Sequence, residues 1–103
     1  DKITGVKIKN VKTGEESIID CDGVFVSVGR KPATDFLGSK LDLDENGYII
    51  ADETTKTSIP GVYAVGDIRT KQLRQVVTAV SDGAMAVHSA EEYLAEEHKG
   101  SEI

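Results

Sequence analysis

The chain has 103 residues, with 12 basic against 18 acidic side chains and a formal net charge of −6. That is length for one domain, not for two of ordinary size. The acidic balance excludes a nucleic-acid protein, which needs clustered Lys and Arg to neutralise phosphates. No apolar run approaches the ~20 residues that cross a bilayer, and no signal-peptide pattern opens the sequence. Cys21 is the single cysteine, so an internal disulfide and a C-x-x-C redox pair are both excluded. These features predict a soluble, cytoplasmic chain of one domain or less, with no nucleic-acid or membrane partner.

The N-terminal third reads as β-structure. Val6 and Ile8 alternate with Lys7 and Lys9, the period of a half-buried strand. Lys12-Thr13-Gly14-Glu15 supplies a turn, and the chain returns through Ile18 and Ile19, so residues 3–20 are expected to form a hairpin. Val24-Phe25-Val26-Ser27-Val28 is almost wholly apolar and predicts a strand buried on both faces. It stops at Gly29-Arg30-Lys31-Pro32, read as a solvated hinge. Cys21 beside it reads as a buried structural thiol.

Leu41 and Leu43 alternate with Asp42 and Asp44, the mark of a short strand, and Glu45-Asn46-Gly47 is a strong turn signal. Tyr48-Ile49-Ile50-Ala51 predicts another strand, and so does Val62-Tyr63-Ala64-Val65, which ends at Gly66-Asp67. The last third reads as a helix from about Thr78 to Glu97, with Gly100 just past its end. Val77, Val80, Ala84, Val87 and Leu94 make a continuous apolar stripe along it, and Asp82, Ser89, Glu92 and Glu96 lie largely off that stripe.

The chemistry is concentrated in residues 57–67. A strand that ends in Gly-Asp places a carboxylate at the carboxyl edge of a sheet, where open α/β folds bind ligands. Gly66 has no side chain, so a ligand can approach its backbone. Asp67 can accept a hydrogen bond from a sugar or polyol hydroxyl. The helix start that follows offers free N–H groups and a positive dipole end. For the dipeptide by itself, the competing reading is a β-turn with a solvated Asp. His88 and His98 have no partner at metal-ligand or triad spacing, so no metal site is expected.

From Thr57 to Asp67 the sequence resembles the second flavin-binding motif, T-x-x-P-G-[VI]-[FY]-A-x-G-D, of the pyridine nucleotide-disulfide oxidoreductases. Leu73-Arg74-Gln75-Val76-Val77-Thr78-Ala79 and Asp82-Gly83-Ala84-Met85-Ala86 narrow this to the C-terminal part of a bacterial-type, low-molecular-weight thioredoxin reductase. Residues 22–34 resemble the family's return from the pyridine-nucleotide domain to the flavin domain. The resemblance implies an α/β fold: a partial FAD/NAD(P)-binding, Rossmann-like, three-layer ββα domain with an N-terminal β-hairpin and a long C-terminal helix. Residues 1–28 would close the NAD(P)H-binding domain, and residues 29–103 would belong to the FAD-binding domain.

The resemblance further implies FAD as cofactor, with Gly66, Asp67, Arg74, Gln75 and Val76 as the residues that bind it. Asp67 would meet the ribityl or pyrophosphate region, and backbone N–H groups near Gln75 and Val76 would face the flavin N1–C2=O edge. The family's G-x-G-x-x-G, NADPH-binding turn and C-x-x-C pair do not occur in these residues, so no catalytic residue is assigned and the chain alone is expected to be inactive. NADPH, thioredoxin and homodimerisation are implied for the parent enzyme. Partner faces left open predict that the chain is oligomeric or accompanied by the remaining segments of the same reductase. Three other readings stand beside this one: a ferredoxin-NADP reductase, the flavoprotein of an alkyl hydroperoxide reductase, and a non-enzymatic dimerisation module.

Overall fold

β1 (Gly5–Lys9) and β2 (Glu16–Asp20) pair antiparallel, with Gly5 opposite Asp20 and Lys9 opposite Glu16, in this computed structural model, which describes residues 1–101. The turn between them is made by polar side chains. Asn10 accepts the Lys12 and Thr13 N–H groups on its Oδ1 at 2.9 and 3.1 Å, and Gly14 takes the left-handed φ of +76°. Lys7 and Glu16 add an exposed ion pair at 2.6 Å. The expected hairpin is therefore present. Its burial is weaker than the alternation implies: Val6 is half-buried, and Ile8 and Ile19 are exposed.

Residues 24–28 correct an expectation. They form no strand, and Phe25, Val26 and Val28 are 100%, 80% and 94% exposed. A strand exists only through the ladder it joins, and none of the described residues offers this run a partner edge. Cys21 is half-buried, not buried, with its N–H on the Thr4 carbonyl at 3.2 Å.

The chain divides into two compact units, Asp1–Arg30 and the residues from Lys31 onward. In the second unit a short 3-10 turn, Asp35–Leu37, precedes a set of extended segments. The expected strands at 41–43, 48–51 and 62–65 appear as single bridges, not as ladders. Leu43 pairs with Ile49, Ile49 also pairs with Arg69, and Lys56 pairs with Tyr63. The Asn46-Gly47 turn forms as its composition dictates. Asp44 Oδ1 accepts the Asn46 and Tyr48 N–H groups, each at 2.9 Å, and Gly47 sits at φ +86°.

Leu41, Ile49, Ala51 and Ala64 are the buried apolar core, with Leu37, Leu43 and Ile68 packed around them. Ile59-Pro60-Gly61-Val62 is a tight turn closed by Val62 N–H on the Ile59 carbonyl at 3.1 Å, with Gly61 at φ +78°. Pro then Gly at the two central positions is the type II pattern.

α1 (Val76–Ser101) is longer than expected. It starts two residues earlier and continues through Gly100, so Gly100 does not end it. The early start is secured by Thr78, whose hydroxyl accepts the Gln75 N–H at 3.0 Å and lies within reach of the Leu73 and Gln75 carbonyls. At the far end the Ser101 hydroxyl donates to the His98 carbonyl at 2.8 Å.

The faces of α1 also differ from expectation. The apolar stripe points away from the unit: Val77, Val80, Val87 and Leu94 are all more than half exposed. The buried positions are Asp82 and Ser89. Ser89 donates its hydroxyl to the Thr54 carbonyl at 2.7 Å and receives the Tyr63 hydroxyl on its own carbonyl at 3.1 Å. Tyr93, one turn further on, lays its ring 3.3 Å from the place a Cβ on Gly61 would occupy. The helix thus docks here through polar and small side chains.

Candidate functional site

Gly66 begins a three-residue 3-10 turn, Gly66–Ile68, at the end of the apolar run 62–65. It is buried at φ +77°, a conformation that costs an L-residue roughly 1–2 kcal/mol and glycine little. A Cβ added there would find Ala79 Cβ at 3.7 Å, ordinary contact, so the backbone angle and not crowding selects glycine. Asp67, the next residue, is exposed.

Arg74 comes back onto this turn. Its Nε donates to the Asp67 carbonyl at 3.2 Å, one Nη donates to the Arg69 carbonyl at 3.0 Å, and its guanidinium stacks over the Tyr48 ring at 3.8 Å. Stacking of this kind adds roughly 0.5–1 kcal/mol at exposed sites and orients the group. Arg74 therefore holds the backbone at Asp67 and at Arg69, two residues further on. Gln75 N–H is taken by Thr78, as described, so of the backbone donors expected at the helix start this one is already engaged. Val76, the first residue of α1, is 82% exposed. The five residues singled out from the sequence are thus linked through two elements, the Gly66 turn and the segment that opens α1.

Sequence reasoning missed the group beneath them. Arg69 is 2% exposed and lies against Asp82 of α1, with Nε to Oδ2 and Nη2 to Oδ1 both at 2.8 Å. Its remaining donors reach the Thr70 carbonyl at 2.7 Å, the Ala51 carbonyl at 3.3 Å and Glu53 at 3.2 Å. All five guanidinium N–H groups have an acceptor, which is what makes burying the charge tolerable. Asp82 Oδ2 also accepts Lys71 Nζ at 2.7 Å and the Gly66 N–H at 2.8 Å.

The Arg69 guanidinium, bonded to both oxygens, holds the Asp82 carboxyl far below the usual carboxylate range. Burial works in the opposite direction and loses; Lys71 and the Gly66 N–H add to the lowering. The signal that could have found this pair is an aspartate inside a helix on the side away from the apolar stripe, with an arginine shortly after the preceding strand. Asp82 and Arg69 meet only because the chain turns between them, so spacing alone does not announce the contact.

His88 and Glu92 form an exposed i,i+4 pair at 3.3 Å, and no group of three metal-ligating side chains occurs among the described residues. No helix among the described residues is long and apolar enough to cross a membrane.

The buried Gly66 turn, the exposed Asp67 that follows it and the segment that opens α1 thus lie together, joined through Arg74. The family model for pyridine nucleotide-disulphide oxidoreductases matches residues 1–83, and the chain belongs to that family. Within it, the chain is similar to thioredoxin reductases. It is 48% identical to thioredoxin reductase 2 of Arabidopsis thaliana, over 89% of this chain and 24% of that protein. It is also 48% identical to the thioredoxin reductase of Chlamydia pneumoniae, over 89% and 30%. The crystal structure of Lactococcus lactis thioredoxin reductase in its FR conformation superposes with a TM-score of 0.75 at 44% identity, covering 90% of this chain and 31% of that one. The T. acidophilum enzyme gives 0.71 at 47% identity, covering 90% and 30%. The chain therefore spans about a quarter to a third of the length of these relatives.

Proposed function

We propose that this chain is the C-terminal, FAD-binding part of an NADPH-dependent thioredoxin-disulfide reductase. Residues 1–28 would close its pyridine-nucleotide domain and residues 29–103 would complete its flavin domain. One observation carries the reading: exposed Asp67, next to the buried left-handed Gly66, is bound by its carbonyl to Arg74 in the segment that opens α1. The residues present fit one edge of a flavin. Gly66 keeps side-chain bulk away from the backbone, Asp67 accepts hydrogen bonds from the ribityl or pyrophosphate region, and Arg74 keeps the Asp67 backbone in place. The start of α1, at Val76, presents a positive dipole end to the N1–C2=O edge, where negative charge collects on reduction. When bound, FAD supplies the redox chemistry between NADPH and the disulfide, and the protein supplies binding and electrostatics.

The thioredoxin reductases among the relatives favour this activity over the ferredoxin and hydroperoxide alternatives. The NADPH turn and the redox dithiol would come from other segments of the protein, since these residues contain neither. The exposed apolar runs, residues 24–28 and the outward stripe of α1, support a further part of the reading. Remaining segments of the same reductase and a second subunit would cover them, and thioredoxin would be the macromolecular substrate, in the cytoplasm.

The test is an FAD titration of the intact apoprotein that carries this sequence, followed by flavin fluorescence and by NADPH-dependent disulfide reduction. Asp67→Ala is expected to weaken FAD binding by about ten- to a hundredfold, the loss of a hydrogen bond from a charged acceptor. A folded Asp67→Ala protein with unchanged affinity would refute the assignment.

A further inference from the structure

The Gly66–Ile68 turn is not self-supporting: Val65 before it contributes no side-chain cap. Its first N–H points inward, where an unsatisfied donor would be costly. The acceptor it finds is Asp82 Oδ2 at 2.8 Å, on the second turn of α1 and 16 residues along the chain. The side chain of Asp82 is 5% exposed, and Arg69 and Lys71 grip it from other directions. Its position is thus held by side-chain bonds besides the one it makes to the turn. The same helix supplies Val76 at its first position. One carboxylate therefore connects the turn that carries Asp67 to the element whose start faces the same edge.

We propose that Asp82 is a positioning residue for the flavin. By accepting the Gly66 N–H it locks the Gly66-Asp67 turn to α1 and sets the spacing between Asp67 and the helix start. The inference rests on the flavin reading above and adds to it a residue that touches no cofactor. The competing role for Asp82 is that of a counter-charge to Arg69 and Lys71, with no consequence for the turn.

Asp82→Glu separates the two. It keeps the charge beside Arg69 and Lys71 but adds a methylene, displacing the carboxylate by about 1.5 Å; the Arg69 and Lys71 side chains can follow the shared oxygen by rotation, and the backbone Gly66 N–H cannot. In the intact apoprotein, Asp82→Glu is expected to raise the FAD dissociation constant about tenfold or more and to shift the visible absorption bands of bound flavin. A counter-charge role predicts affinity and spectrum like those of the native protein, and that result would overturn the proposal. A second measurement needs no variant. Hydrogen exchange on the native apoprotein should find the Gly66 amide protected before FAD is added; rapid exchange there, slowed only by FAD, would also overturn it. Native protein that fails to bind FAD at all would instead sink the flavin reading, and this inference with it.

Discussion

Replacing Arg69 by methionine is expected to destabilise the unit that begins at Lys31 by about 3 kcal/mol, the lower end of what breaking a buried ion pair costs. The methionine fills most of the volume, so the loss is electrostatic. Asp82, 5% exposed on its side chain, would keep Lys71 and the Gly66 N–H but lose both bonds from the guanidinium. The midpoint of urea unfolding of the intact protein measures the effect. A triple variant, Arg69→Met with Lys71→Met and Asp82→Leu, should recover only part of that stability: apolar replacement of a whole buried charge cluster is often neutral or better, but the buried Gly66 N–H is left without its acceptor. It should not recover FAD affinity, since no acceptor remains for Gly66.

The pH dependence follows from the direction of the Asp82 shift. Its folded pKa is depressed, chiefly by Arg69. The stability it contributes is therefore complete above the ordinary aspartate value of about 3.9 and is lost as pH falls below that value toward the folded one. The gap between native and Arg69→Met proteins should be constant from about pH 8 to 5 and shrink on acidification below about 4. A gap that closed near neutral pH would point to a different titrating group.

Ile49→Ala is expected to be comparably damaging, about 3 kcal/mol from lost burial and a residual cavity. Ile49 is 5% exposed in a core whose other buried apolar members are Leu41, Ala51 and Ala64. Two of those three are alanines, so little neighbouring volume exists to collapse into the space. Ile49 is also the junction of the extended segments. Its N–H donates to the Ile68 carbonyl and its carbonyl accepts the Thr70 N–H, both at 2.9 Å. Those bonds bracket Arg69, so loosening Ile49 should also weaken FAD binding. Urea unfolding and FAD titration of the same variant check both consequences. A loss below about 1 kcal/mol would mean that the core is more plastic than its packing implies.

Hydrophobic periodicity and turn chemistry were enough to read the hairpin, the Asn46-Gly47 turn and the C-terminal helix, because each is specified by residues close in sequence. The Thr57-to-Asp67 motif was legible for the same reason. The Pro60-Gly61 turn and the left-handed Gly66 are local backbone requirements, visible as prolines and glycines at fixed spacing. Residues 24–28 read as a strand on composition, but a strand needs a ladder, and partner edges are a matter of what lies beside the chain.

The apolar stripe of α1 was read correctly as a stripe, yet periodicity says that such a face should be covered and not by what. Here it points outward, and the helix docks through Asp82, Ser89 and Tyr93. The sequence by itself determined the local elements, the family resemblance and the position of the Gly66-Asp67 turn. Only the tertiary structure decided which face of α1 is buried, that Arg69 and Asp82 are paired out of water, and that the turn hangs from Asp82. The reason is physical: a charge pair is tolerated in the interior only when several acceptors and donors converge on it, and that convergence is a property of the folded chain, not of any segment of it.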